Sequence, residues 1–194
     1  MNATPASISK NWLQNYYYTR GLAAAAWVGA AFALGKSDPS IAAMLLLAYP
    51  AWDALANLVD ARQSGGLKRN PTQSFNVVVS IATTIAVVVA LGQSMNAVYA
   101  VFGVWAGLAG LLQLFTGVRR WKTSGAQWAM ILSGAQSALA GIFFFKQSFG
   151  ATPPGIAGIA PYAGFGAFYF LVSAVMPTIS ARRRAATSAE PAGR

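Results

Sequence analysis

Six largely apolar stretches follow one another along the chain, at 18–34, 41–61, 75–91, 97–118, 127–145 and 156–179. An α-helix rises 1.5 Å per residue, so about 20 such residues cross a hydrocarbon layer about 30 Å thick. None of the stretches alternates apolar and polar residues at strand period. Their Ala, Leu and Gly content suits helices in lipid, where every backbone N–H and C=O must be satisfied within the segment. The fold class expected is all-α, an integral membrane bundle of six transmembrane helices. Turn formers fall between the stretches, at Gly35-Lys36-Ser37-Asp38-Pro39, Ser64-Gly65-Gly66, 92–96 and 150–155. No connection is long enough for a folded extramembrane domain, so function belongs to the bundle, its interfaces or the tails.

Charge sets the orientation. Lys10, Arg20, Arg62, Lys68, Arg69, Arg119, Arg120, Lys122, Arg182, Arg183, Arg184 and Arg194 fall on one side of a six-span arrangement, and only Lys36 and Lys146 on the other. The positive-inside rule puts the twelve, and both termini, in the cytoplasm. A net charge of +10 could also suggest nucleic acid, but the basic residues punctuate apolar runs instead of forming a water-exposed basic face. They read as topology signals beside anionic headgroups; the expected partner is the bilayer, and no nucleic acid.

Three regions follow. Ile8, Trp12, Leu13 and Tyr16 share one helical face ahead of Tyr17 and Tyr18, so residues 1–17 read as an interfacial amphipathic helix with an aromatic belt. Residues 18–181 form the six-helix domain. Residues 182–194 have little to bury and read as a basic, disordered cytoplasmic tail. Lys10 and Arg20, a short apolar run and Ala31-Phe32-Ala33 imitate a cleaved secretory signal, but the region ahead is too long and too aromatic, and a retained signal-anchor helix is expected.

The stretches also repeat. Placing Leu34-Gly35 over Leu91-Gly92, an offset of 57, brings Arg62 onto Arg119. The third pair of stretches follows the same plan after a longer outer loop and ends in Arg182-Arg183-Arg184. Three tandem helical hairpins result: parallel repeats, unlike the inverted repeats of many secondary transporters. The run from Phe102-Gly103-Val104-Trp105-Ala106-Gly107 through Gly110-Leu111-Leu112-Gln113-Leu114-Phe115-Thr116-Gly117-Val118-Arg119-Arg120 to Trp128, Leu132-Ser133-Gly134 and Leu139-Ala140-Gly141-Ile142 resembles the short-repeat bacterial membrane proteins typified by HdeD. Arg20-Gly21 and Asp38-Pro39 are similar to that family's helix start and outer turn. The resemblance implies an inner-membrane protein connected with acid or envelope stress, with no assigned reaction and no catalytic residues.

The chain has no cysteine and no histidine, which removes thiolate nucleophiles, thiolate and imidazole metal ligands and the usual base near neutral pH. Neither enzyme activity nor a cofactor or metal site is expected. The carboxylates are Asp38, Asp53, Asp60 and Glu190. Asp53 lies about eight residues inside the second stretch, hence about 12 Å into the hydrocarbon layer. With Asn57 and Asp60 it makes a polar stripe on one helix face. A carboxylate at that depth must face the bundle or a wet cavity. Two readings stay open: a proton or polar relay from Asp60 to Asp53, and a structural Asp53 bonded to a neighbouring helix, with Arg20 at matching depth as its partner. The structural reading is preferred, because a transporter ordinarily carries more intramembrane polar groups.

Gly103, Gly107 and Gly110 on one stretch, and Gly134 and Gly141 on the next, are spaced to let two helix backbones approach closely, with Gln113 and Gln136 placed to bond across that contact. Packing within the bundle is preferred to a dimer seam, though a homo-oligomer or a larger membrane complex stays open. The functional expectation is a non-enzymatic HdeD-like membrane protein with a structural or stress-protective role, or an accessory subunit of a complex. The alternative is a proton-linked channel or transporter using Asp53 and Asp60.

Overall fold

In the computed structural model, the backbone of residues 5–119 and 128–188 and the side chains of 12–115, 118, 128 and 131–176 are described. The side chains of Ile8, Lys10, Arg119, Arg182, Arg183 and Arg184, and the whole of Arg120, Lys122 and residues 189–194, lie outside them.

Six α-helices follow in order, α1 (Pro5–Ala30), α2 (Pro39–Gln63), α3 (Pro71–Leu91), α4 (Met95–Arg119), α5 (Trp128–Gln147) and α6 (Ala160–Ser188), with no strand among the described residues. Four segments, Pro39–Gln63, Pro71–Leu91, Met95–Phe115 and Ile156–Met176, are long and apolar enough to cross a membrane. The outward surface is oily: Leu22, Val78, Ile85, Leu139 and Ile142 keep 61–67% of their accessible surface. That is the inverse of a soluble bundle, which turns such residues inward. The chain is therefore a multi-pass membrane protein.

Local sequence explains the helix ends. The Asp38 carboxylate caps α2 by accepting from the N–H groups of Ser40 (2.8 Å) and Ile41 (3.2 Å), and Ser94 caps α4 by accepting from Ala97 N–H at 3.1 Å. Pro39 and Pro71 each stand in a first helical turn, where a missing N–H costs nothing. The chain leaves α2 through Gly65 and Gly66, whose φ of 98° and 92° would strain other residues. Asn70 ties that turn together by donating to the carbonyls of Ser64 and Gly66, both at 2.9 Å.

Two boundaries differ from the sequence reading. α1 runs unbroken from Pro5 to Ala30 and widens into a π-helical turn over Ala31–Gly35, with no break at 17/18. α6 continues helical through Arg182–Arg184 to Ser188, where a disordered tail from 182 was expected; Ala and Arg are strong helix formers and can extend a packed helix without burying anything.

The packing partners are also offset from the sequence hairpins. The closest pairs are α4 with α5, α1 with α6 and α2 with α3; α3 meets α4 less extensively, and α1–α2 and α5–α6 touch only lightly. The helices joined by outer turns are thus not the helices that pack most closely. One half of the bundle, near Gly35, Gly92 and the α5–α6 loop, holds a dry core of Leu46, Val87, Val98, Tyr99, Phe102, Phe144 and Ile159, all at most 2% exposed. Asn96 fastens that loop to α4 by donating to the carbonyls of Ser148 (3.1 Å) and Gly150 (2.8 Å). The other half, at the end carrying the exposed Arg62, Lys68 and Arg69, is where the polar residues collect.

Candidate functional site

Polar residues of all six helices surround a cavity of about 460 Å³ in the half away from the dry core. Its lining reaches the last turn of α2 at Asp60 and the first turn of α3 at Thr72 and Gln73, so the cavity extends to that end of the bundle. α4 and α5 contribute Gln113, Ser133, Gln136 and Ser137 to the wall.

Asp53 sits at its heart. Three residues earlier α2 contains a buried Pro50, which has no N–H for the carbonyl of Leu46 and interrupts the helix ladder there. The carbonyl of Leu45, in the same turn, accepts from Trp27 Nε1 at 2.7 Å. One Asp53 oxygen, Oδ1, forms an ion pair with Arg20 Nη2. The other, Oδ2, accepts from Ser80 Oγ at 2.8 Å and Asn57 Nδ2 at 3.0 Å. Trp105 Nε1 in turn donates to Ser80 Oγ at 3.1 Å. On the far side, Arg20 Nη1 donates to the Tyr16 hydroxyl at 3.1 Å, and that hydroxyl donates to the carbonyl of Ala56 at 3.3 Å. A continuous polar chain therefore runs from α4 through α3 and α2 to α1.

α6 completes it from one face. The Arg20 guanidinium lies 4.2 Å from the centre of the Phe170 ring, a cation–π contact. Gly21 makes that approach feasible, because a Cβ there would stand 2.7 Å from Leu171 Cγ. With every oxygen of Asp53 bonded, the pair meets the requirement that buried charges be paired and hydrogen-bonded. Arg20 and Asp53 nevertheless keep 14% and 21% of their side-chain surface, and both line the cavity.

A floor of aromatic rings closes the cavity toward the dry core. Tyr49 meets Trp105 edge-on at 5.6 Å between centroids, Tyr162 stands 6.4 Å from both, and Trp27 packs on Tyr49 at 4.8 Å. Fully buried Phe102, Tyr99 and Phe144 lie beyond.

The structure thus joins Arg20, Asp53 and Asn57 but not Asp60. Asp60 lies two helical turns, about 10 Å, nearer the mouth and accepts from Gln73 Nε2 at 3.2 Å. The glycines meet elsewhere, between α4 and α5. A Cβ on Gly103 would stand 2.7 Å from Phe145 N, on Gly134 2.5 Å from Leu114 N, and on Gly141 2.5 Å from Gly107 N, while one on Gly110 would collide with Ala138 N. Gly107 differs: its own Cβ would point into open space, and only its backbone is part of the seam. Sequence reasoning missed Ser80, Trp105 and the aromatic floor. Tyr49 and Trp105 do stand mid-helix and Tyr162 in the first turn of α6, where a buried hydroxyl or indole N–H needs a partner, but no local pattern says that they meet.

Residues 77–146, which span most of α3 to α5, match the family described as a short repeat of unknown function, DUF308. The stretch carrying the HdeD-like resemblance, from Phe102 to Ile142, falls inside that match. No curated protein and no solved structure matches the chain.

Proposed function

We propose that this chain is a non-enzymatic, six-span bacterial inner-membrane protein with both termini in the cytoplasm, and that it holds a small solute in a cavity open to the cytoplasm. The observation that carries the reading is a cavity of about 460 Å³ lined by amides, hydroxyls and an ion pair inside an oil-coated bundle. A protein acting only as a structural component needs no such space, since lipid-embedded helices associate well by close packing alone. The basic end of the bundle, where the cavity opens, is the end the positive-inside rule assigns to the cytoplasm.

The aromatic floor argues against a continuous proton path, and both Asp53 oxygens are held by fixed partners. Asp53 is in this reading a pin that fixes the cavity's shape. Solute holding is compatible with a stress-protective role, with an accessory subunit, or with one state of a transporter; the HdeD-like resemblance favours the stress setting.

Because the chain contains no cysteine, single cysteines report cleanly on water access. Ser137→Cys in the cavity wall should react with a membrane-impermeant maleimide in inside-out vesicles but not in spheroplasts. Val98→Cys, beyond the aromatic floor, should react in neither. Labelling of Ser137→Cys from both sides would replace the one-sided cavity with a channel. No labelling from either side would return the bundle to a purely structural role.

A further inference from the structure

We propose that the cavity takes an organic cation carrying an aromatic or apolar group, with Asp60 as the residue that selects its charge; this rests on the solute-holding reading above.

The first argument is charge. Arg20 and Asp53 cancel each other within the lining, which leaves Asp60 as its one uncompensated charge among the described residues. Of the three carboxylates described, the third, Asp38, is occupied in capping α2 at the opposite end. Asp60 has one neutral donor, Gln73, and no ion pair among the described residues. A chain of net charge +10 thus places two of its four acidic residues on one cavity.

The second argument is the walls. Tyr17, Trp52, Phe165 and Tyr169 also line the cavity, and the faces of such rings carry the negative end of the aromatic quadrupole. Rings and a carboxylate together favour a weakly hydrated cation, whose charge meets Asp60 while its apolar part lies against the rings. The structure already contains one example of this chemistry in the same cavity, where the Arg20 cation rests over Phe170.

The alternatives fit less well. Among the described residues, Arg20 is the only basic side chain in the lining, and it is committed to Asp53, Tyr16 and Phe170, so none of them offers an anion a free countercharge. No group of three metal-ligating side chains exists among the described residues, and the space far exceeds a bare ion.

The test is protection of Ser137→Cys from maleimide in the full-length protein in inside-out vesicles. The probes are benzyltrimethylammonium, benzenesulfonate and benzyl alcohol, which share one ring and differ in charge. Benzyltrimethylammonium should protect saturably, and Asp60→Asn should raise the half-protecting concentration by about tenfold or more, as expected when a partly screened countercharge is removed. Asp60→Glu should stay close to the original value, and the other two probes should protect only weakly. Equal protection by all three probes, protection by benzenesulfonate alone, or cation protection unchanged in Asp60→Asn would each overturn the proposal. Labelling that no probe slows would overturn it as well and leave the one-sided cavity standing. Absence of labelling without any probe is the separate failure of the solute-holding reading.

Discussion

The α4–α5 seam and the α1–α2–α3 side of the bundle solve the same problem by opposite means. Lipid tails are as apolar as leucine, so apolar burial alone gives helices little reason to associate in a bilayer; close van der Waals contact and interhelical hydrogen bonds must do so. At the seam, Gly103, Gly110, Gly134 and Gly141 remove side chains altogether, backbones touch, and no space is left. Around Asp53, long side chains bridge the helices instead. Arg20 spans from α1 to α2 and Ser80 links α2 to α3 and, through Trp105, to α4. α1 and α2, bridged by the long Arg20 side chain, touch only lightly, and the cavity lies beside that gap. A rigid, close-packed pair beside a propped-open polar wall is how so small a bundle acquires an interior.

If this contrast is right, the seam is the less forgiving of the two. Gly110→Leu would drive a side chain into the backbone at Ala138, beyond the roughly 1–3 kcal/mol typical of overpacking, because backbone cannot move aside as a rotamer can. The expected outcome is loss of monodisperse protein after detergent extraction. Gly107→Leu, whose Cβ meets nothing, should extract and melt close to the unaltered chain. Similar losses from both substitutions would mean that the seam tolerates no change of any kind and that face geometry is not the cause.

The polar wall should yield next. Asp53→Leu leaves the Arg20 charge without its partner and should cost about 2–3 kcal/mol, below the range for fully buried pairs because the cavity screens it. Arg20→Met combined with Asp53→Leu should recover most of that loss, read as detergent melting temperatures in a double-mutant cycle. A double variant as unstable as the sum of the singles would dismiss the ion pair as the pin. Asp53→Asn does not escape the cost, since an amide keeps the bonds to Ser80 and Asn57 but not the charge that Arg20 needs.

The smallest effect belongs to Ser80→Ala, which removes one donor to Asp53 and the acceptor for Trp105. About 1 kcal/mol is expected, together with a shift in tryptophan emission as the indole N–H loses its partner. An unchanged spectrum and melting temperature would show that the link from α4 to Asp53 carries no energy.

Much of this was legible in the chain. Apolar stretches of helical length gave the helices, Gly35 to Pro39 gave a turn, and the depth of Asp53 with Arg20 at the same level gave a cross-helix pair, because each follows from spacing along one or two helices. The glycine spacing identified a face that packs, but not which glycine's Cβ direction points into it, and Gly107 shows the difference. The hairpins inferred from the repeat describe connectivity; the strongest contacts run between other pairs, since small residues and long polar side chains decide proximity wherever the loops permit it.

The sequence by itself determined that this is a helical membrane protein with a carboxylate deep in its second helix. Hydrophobic length and the need to satisfy backbone groups in lipid act locally and leave marks in order along the chain. Only the tertiary structure decided that Tyr49, Trp105 and Tyr162 meet as a floor, that Asp60 stays apart from Asp53, and that six helices enclose a polar space in one half of the bundle beside a dry core in the other. Those outcomes depend on distances between helices, which are set by side chains far apart in sequence acting at once.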